Sequence, residues 1–196
     1  MVLLHSVSGE QTGVYFADST QLAVCHNRRI HRHRVFDGLA ARGKTSIGWF
    51  YGLKLRVAAK HRGQVVALRI TPGNTADSTV LDEMTRDLAG KPYADKGYIG
   101  RDLFKNLWQR NLHLITSIRR NMRNYLMPLA DKIMLRKRFV IETVLDILKC
   151  EMGLEHTRHR SVTNAMAHVL SCLVAYTFRP GTPSISLTAR QIKACP

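Results

Sequence analysis

The order of β-type and helical segments is the feature that most restricts the fold of this chain. The β-type run Val14–Val24 comes first. Two further runs, Gly52–Ala59 and Gln64–Thr71, flank a turn that ends in Gly63, a spacing typical of a β-hairpin. Helical patterns and short apolar runs then alternate. Because the alternation follows an antiparallel start, we predict an α/β fold, a mixed β-sheet flanked by α-helices.

The other segments follow from hydrophobic spacing and from residues that begin or end helices. Asp77 or Ser78 is expected to cap the first helix and Ser161 the last. The basic stretch Cys25–Ser46 is predicted to be a loop or an irregular excursion. We expect helices over Ser78–Gly90, Arg101–Asn111, Leu135–Met152 and Ser161–Phe178, and short strands over Lys91–Asp95 and Leu112–Ile118.

Positive charge far exceeds negative charge, with 30 Lys and Arg against 14 Asp and Glu and a formal net charge of +16. A surface of that sign attracts polyanions, and nucleic acid is the first candidate. A membrane partner is not expected, because the most apolar segment, Ala165–Phe178, is shorter than the roughly 20 residues that span a bilayer. The four cysteines form no C-x-x-C pair, which predicts reduced thiols in a cytoplasmic protein.

Two aspartates stand where a purely structural role explains them poorly. Asp18 lies inside the first apolar strand, where aspartate is disfavoured and costly to bury unpaired. Asp95 ends the short strand KPYAD, at the edge where α/β sheets usually carry their sites. Asp18 could still cap a turn or pair with an arginine, and Asp95 could be an ordinary turn residue.

A third carboxylate, Glu142, lies on the predicted helix Leu135–Met152. It shares a narrow polar stripe with Arg138, Asp146 and Lys149, opposite a broad apolar face. A solvated salt-bridge stripe is the alternative, but Glu142 and Asp146 are like charges one turn apart, which disfavours it. Three oxygen ligands without His or Cys suit Mg²⁺ or Mn²⁺, and two such ions about 4 Å apart can act on a phosphodiester.

The motifs around these carboxylates resemble those of the DDE-type transposases of bacterial insertion sequences, which have a ribonuclease H-like domain. The stretch FADST is similar to the family's first-strand motif, ADKGYIG to its D-x-G-Y motif, and Arg138, Glu142 and Lys149 to its R-x3-E-x6-K signature. The resemblance implies that Asp18, Asp95 and Glu142 are the catalytic residues and bind two metal ions. Related groups carry a tyrosine where this chain has Leu135, so one possible phosphate contact is lost.

The resemblance also implies a domain organisation and an activity. We expect an N-terminal remnant over residues 1–13, a catalytic domain over 14–180 and a flexible tail over 181–196. Because relatives usually carry a helical region before the first aspartate, we expect a truncated copy that lacks recognition of the element's ends. The implied activity is metal-dependent DNA cleavage and strand transfer by a homo-oligomer on DNA, in the bacterial cytoplasm at the nucleoid. The alternatives are a DNA-coating protein without chemistry and a nuclease that cuts RNA–DNA hybrids.

Basic residues on three segments are predicted to contact DNA phosphates. They are Arg28, Arg29, Arg32, Arg34, Arg42 and Lys44 in the basic stretch, Arg138 and Lys149 beside Glu142, and Arg158 and Arg160 before the last helix. The basic stretch and the segment before the last helix could instead be solvated loops, and Arg138 and Lys149 could be ion-paired to Glu142 and Asp146. Cys25, His26, His31 and His33 could form a zinc site, although their spacing matches no common zinc module.

Overall fold

A computed structural model describes residues 12–123, 126–156 and 159–186 of the protein. The described residues form six strands: β1 (Val14–Cys25), β2 (Ala41–Lys44), β3 (Trp49–Lys60), β4 (Val65–Pro72), β5 (Lys91–Ala94) and β6 (Ile115–Thr116). They also form five α-helices: α1 (Asp77–Met84), α2 (Arg101–Gln109), α3 (Leu129–Arg136), α4 (Phe139–Cys150) and α5 (Val162–Thr177). Two short 3₁₀ helices cover Asn27–Arg32 and Lys96–Tyr98.

All six strands join one sheet in which β1 is central. The order is β2-β3-β1-β5-β6, and β4 also pairs with β3. β3 is antiparallel to β1, β2 and β4, whereas β1, β5 and β6 run parallel to one another. The predicted mixed sheet, with its hairpin and its central first strand, is therefore confirmed.

Alternate side chains of β1 enter two separate hydrophobic cores, because successive residues of a strand point to opposite faces. Val14, Phe16 and Leu22 pack with α4 and α5 on one face. Ala17 packs on the other face with apolar residues of α1 and α2. Helices on both faces explain why β1 begins with four consecutive buried apolar residues, Val14–Ala17, and why a charged Asp18 directly after them is conspicuous.

The predicted helix Leu135–Met152 is wrong as a single element. The chain forms α3 and α4 instead, and they meet at Lys137 and Arg138. The break allows α3 to pack on β5 and β6 while α4 packs on β1 and β3. Arg138 therefore lies at a helix junction and not in the middle of a helical stripe.

The basic stretch contains regular structure that was not predicted. Its charged segment Ala41–Lys44 forms β2, which pairs with Trp49–Gly52. Backbone pairing with the long neighbour β3 stabilises this strand, because its own residues have little tendency to form one.

The last strand, β6 (Ile115–Thr116), is shorter than the strand expected over Leu112–Ile118.

The helix α1 begins and ends earlier than expected. It starts at Asp77, ends at Met84 and has Ala76 as its N-cap, so neither Asp77 nor Ser78 is the capping residue. Ser161 does cap α5, since its hydroxyl accepts a hydrogen bond from the Asn164 N–H at 3.1 Å. Of the predicted tail, residues 181–186 are described, and there the Ile185 N–H donates to the His61 carbonyl at 2.8 Å.

Candidate active site

Asp18 lies within β1 and Asp95 directly follows β5, the parallel strand beside it. In the register of β1 and β5, Ala17 is the partner of Ala94, so the next residue on each strand is one of the two aspartates. Neighbouring strands lie about 4.8 Å apart, which makes the two residues close neighbours. After Asp95 the chain enters the 3₁₀ helix Lys96–Tyr98. There the Tyr98 N–H donates to the Asp95 carbonyl at 3.1 Å, and the Tyr98 side chain is buried.

Glu142 is brought to the same face of the sheet by the first turn of α4. The helix is held by buried Val140, Ile141 and Val144, which pack against the core on the α4 side of β1. The Glu142 side chain is 53% exposed, and a carboxylate near a helix N-terminus is favoured by the helix dipole. An anchored helix with an accessible acid at its start is suited to a binding site.

One guanidinium connects the first and third carboxylates. Arg138 Nη1 lies 3.2 Å from Asp18 Oδ2, and Arg138 Nη2 lies 3.0 Å from Glu142 Oε1. The other oxygen of Asp18 accepts a hydrogen bond from the Ser19 N–H at 2.8 Å. Both oxygens of Asp18 are thus engaged, and Arg138 lies between two acids that would otherwise repel.

The surroundings of Asp18 disfavour its negative charge, and the effect on its pKa has several causes. Burial raises the pKa of the Asp18 carboxyl, and the negative charges of Glu142 and Asp95 act in the same direction. The Ser19 hydrogen bond and the Arg138 charge lower that pKa and oppose the rise. The three carboxyl groups are therefore close enough for their charges to interact.

The donor types fit a divalent cation, but their arrangement is not that of a ready metal site. Carboxylate oxygens are the ligands that Mg²⁺ and Mn²⁺ prefer, and Asp18 and Asp95 are neighbours. Within the residues that the structure describes, however, no three His, Cys, Asp or Glu side chains form a group that could hold a metal ion. That absence applies equally to the possible zinc ligands Cys25, His26, His31 and His33.

Of the predicted DNA-binding residues that the structure describes, Arg138 lies at the carboxylates and the others lie elsewhere on the surface or in other ion pairs. Arg138 alone among them contacts a candidate catalytic carboxylate in the structure described, while Lys149 is ion-paired to Glu155 at 3.2 Å and not to Asp146. The 3₁₀ helix Asn27–Arg32, in the basic stretch, begins just after β1, and the end of β1 lies roughly 23 Å along the strand from Asp18. Arg28, Arg29, Arg32, Arg34, Arg42, Lys44 and Arg160 are exposed, and Arg158 lies outside the described residues.

A second charged cluster behind the site was not predicted. Asp77, expected as a helix cap, instead accepts a hydrogen bond from Arg56 Nε at 2.9 Å. It also forms an ion pair with Lys54 at 3.3 Å. The sequence signal was present, because Arg56 interrupts an apolar strand as conspicuously as Asp18 does. A buried cation of that kind predicts a buried acid as partner.

The family model described as a transposase DDE domain matches residues 8–162, which is most of the chain. The chain belongs to the transposase DDE domain family. None of the curated proteins compared with it matches significantly.

A solved structure supports the fold of this DDE domain. The chain is similar to the piggyBac transposase in a cryo-EM structure of its synaptic complex with hairpin DNA, with a TM-score of 0.60 and 10% sequence identity. The match covers 90% of this chain and 48% of that chain, so this chain spans about half the length of the transposase it matches. The predicted ribonuclease H-like α/β fold is confirmed. None of the helices that the structure describes is long and apolar enough to cross a membrane.

Proposed function

We propose that this protein is the catalytic domain of a transposase that cleaves DNA and transfers the cut strand, with Asp18, Asp95 and Glu142 as its three catalytic carboxylates. The observation that supports the proposal is their convergence on one side of the sheet. Asp18 and Asp95 each follow one residue of the paired Ala17 and Ala94, and a single guanidinium joins Asp18 to Glu142. Acids that approach one another in this way, at a cost in electrostatic free energy, are typical of functional sites.

The three carboxylates would hold Mg²⁺ or Mn²⁺, with two ions expected. Bound there, the ions would supply Lewis-acid activation of a water and then of a DNA 3′-hydroxyl, and would stabilise the leaving oxygen. The residues of the chain provide negative charge at fixed positions. Arg138 would contact a phosphate close to the cut, since guanidinium groups bind phosphate through two parallel hydrogen bonds.

The proposed DNA surface extends from the carboxylates to the basic segments. Its cations are Arg28, Arg29, Arg32, Arg34, Arg42, Lys44, Lys149, Arg158 and Arg160. The net charge of +16 supports contact with a polyanion over a large area. We further propose a homo-oligomer on DNA in the bacterial nucleoid and a catalytic domain over residues 14–180.

Substitution of the carboxylates tests the catalytic proposal. Purified protein with Mg²⁺ is expected to nick supercoiled DNA, and Asp18→Asn, Asp95→Asn and Glu142→Gln should each abolish nicking because each removes one negative ligand. Asp146→Asn is the matched control, because Asp146 is exposed one helical turn after Glu142 on the same helix. Full nicking by any of the three variants would refute the assignment.

A DNA-binding protein without chemistry is the second candidate. The observation in its favour is that no three acidic or metal-binding side chains form a ready metal site in the described parts of the chain. A DNA-binding protein of this kind would bind DNA less tightly as salt rises, and its binding would depend neither on Mg²⁺ nor on the three carboxylates.

A nuclease that cuts RNA–DNA hybrids is tested separately. Cleavage of duplex DNA and of an RNA–DNA hybrid by the same protein is compared, and preference for the hybrid would favour the nuclease.

A further inference from the structure

Arg138 lies where the carboxylates need a cation. Its two terminal nitrogens contact two different acids, Asp18 and Glu142, at 3.2 and 3.0 Å. A structural arginine paired with one acid would present both nitrogens to the same carboxylate. Here the two terminal nitrogens of the guanidinium contact different carboxylates. A single positive charge is therefore shared between Asp18 of β1 and Glu142 of α4.

The junction of α3 and α4 leaves this guanidinium able to exchange partners. Arg138 is the residue immediately before α4 and makes no capping hydrogen bond with its side chain. The Arg138 side chain is 19% exposed, that of Asp18 is 22% exposed and that of Glu142 is 53% exposed, so the pair with Glu142 is open to solvent and the pair with Asp18 is partly open. Charge pairs that are open to water are weak and are readily replaced by a stronger partner.

We propose that Arg138 is the resident cation of the site, and that a DNA phosphate and a divalent cation replace it together. A phosphate accepts both hydrogen bonds of the guanidinium and draws it away from Asp18 and Glu142. The two carboxylates then lose their neutralising charge, and with Asp95 they become a stronger site for Mg²⁺ or Mn²⁺. This inference rests on the proposed function, because it assumes that the three acids are the metal ligands.

The exchange requires DNA and metal to bind cooperatively. If DNA binding strengthens metal binding by some factor, metal binding must strengthen DNA binding by the same factor. It also accounts for the absence of a ready three-ligand group among the described residues, since two of the three acids, Asp18 and Glu142, are held by one arginine. The chain would thereby avoid assembling a loaded metal site away from DNA.

Metal affinity provides the test, with no need for catalysis. Mn²⁺ binding to the full chain is measured by isothermal calorimetry and by the loss of the free-ion EPR signal, with and without a short duplex whose own Mn²⁺ binding is subtracted. For the native protein we expect binding about tenfold tighter with DNA than without, within the usual range of coupling between sites. Arg138→Gln should bind Mn²⁺ tightly without DNA, and the duplex should add little.

Two further variants make the result specific. Arg136→Gln removes the same charge from an exposed position two residues earlier and should retain the native tenfold coupling. Arg138→Lys keeps the charge but cannot span both acids, so its Mn²⁺ affinity should lie between those of the native protein and Arg138→Gln. A thermal melt of each variant verifies that it is folded.

The outcomes separate the inference from the proposed function. If Arg138→Gln binds Mn²⁺ no more tightly than the native protein while Asp18→Asn abolishes binding, the metal site stands and the exchange is refuted. Weaker Mn²⁺ binding by Arg138→Gln would also refute it, because the arginine would then be assembling the ligands. If Asp18→Asn binds Mn²⁺ as the native protein does, the proposed site itself is wrong.

Discussion

Arg56 and Arg138 lie on opposite faces of the same part of the sheet. Arg56 is fully buried, whereas Arg138 is partly exposed. Asp18 and Ser19 are consecutive residues of β1, so their side chains point to opposite faces. Arg138 reaches Asp18 from the side of α4. Arg56 is the β3 partner of Ser19 and reaches Asp77 at the start of α1. Two strands thus present a charged cluster on each face.

The Arg56 cluster is closed. Arg56 is fully buried, with Nε bonded to Asp77, and its remaining nitrogens donate to the Thr71 hydroxyl and the Thr75 carbonyl. Lys54 adds a second cation to Asp77 at 3.3 Å. Each charge has its partners within the protein, so this cluster fixes the start of α1 against β3 and β4 and offers nothing to a ligand.

The Arg138 cluster is open and has an excess of negative charge. One arginine serves two acids, and Asp95 adds a third whose charge is felt at Asp18. The contrast shows that the presence of a charged residue in an apolar strand does not by itself distinguish structure from function. What distinguishes them is whether each charged group has its own partners within the protein and whether water reaches it.

Replacing Arg56 by methionine should have the largest effect on stability. Arg56→Met leaves Asp77 buried with only Lys54 as partner, and breaking a buried ion pair from one side costs about 3–5 kcal/mol. The free energy of unfolding from urea titration measures the loss. Arg56→Met with Asp77→Leu should lose less than Arg56→Met alone, since Asp77 is then absent and Lys54, which is partly exposed, is the one partner left without its acid. A loss below about 1 kcal/mol for the single variant would be typical of an exposed pair and would contradict the closed description.

Replacing Arg138 should change stability far less than replacing Arg56. Its ion pairs are partly exposed, and pairs of that kind contribute about 0.2–1 kcal/mol each. The same urea titration on Arg138→Gln, beside the exposed control Arg136→Gln, tests the difference. An effect as large as that of Arg56→Met would mean that both clusters are structural and that the distinction between open and closed is mistaken.

Much of the fold could be predicted because apolar periodicity and turn residues are local. The strand Val14–Cys25, the hairpin of β3 and β4, and the helix α5 with its Ser161 cap agree with the expectations. The strand β2 and the break between α3 and α4 could not be predicted. Both depend on where neighbouring elements lie, which no local pattern records.

The site was predictable as a set of residues and not as an arrangement. Asp18 and Asp95 were recognised by position in their strands, and the register of β1 and β5 now explains their adjacency. The role of Arg138 as a bridge depended on the helix junction, so a stripe drawn on one continuous helix could not reveal it. The assignment of Asp77 as a cap failed because its partner, Arg56, is 21 residues away in sequence.

The surroundings of His61 should give the smallest effect. His61 is 4% exposed at the turn between β3 and β4. Burial lowers the pKa of His61, and the neighbouring charges of Arg62 and Lys60 lower it further. The unfolded chain therefore takes up a proton near the usual histidine pKa of about 6.5, before the folded protein does.

The free energy of unfolding should accordingly fall as the pH falls from about 6.5 toward the lower pKa of folded His61, and should be independent of this group above pH 7. His61→Gln removes the titration while retaining a polar group near the Thr12 hydroxyl, which lies 3.4 Å from His61 Nδ1. Urea titrations at a series of pH values should show a shallower slope for the variant over this window. An unchanged slope would mean that a negative partner stabilises the His61 imidazolium in the folded protein.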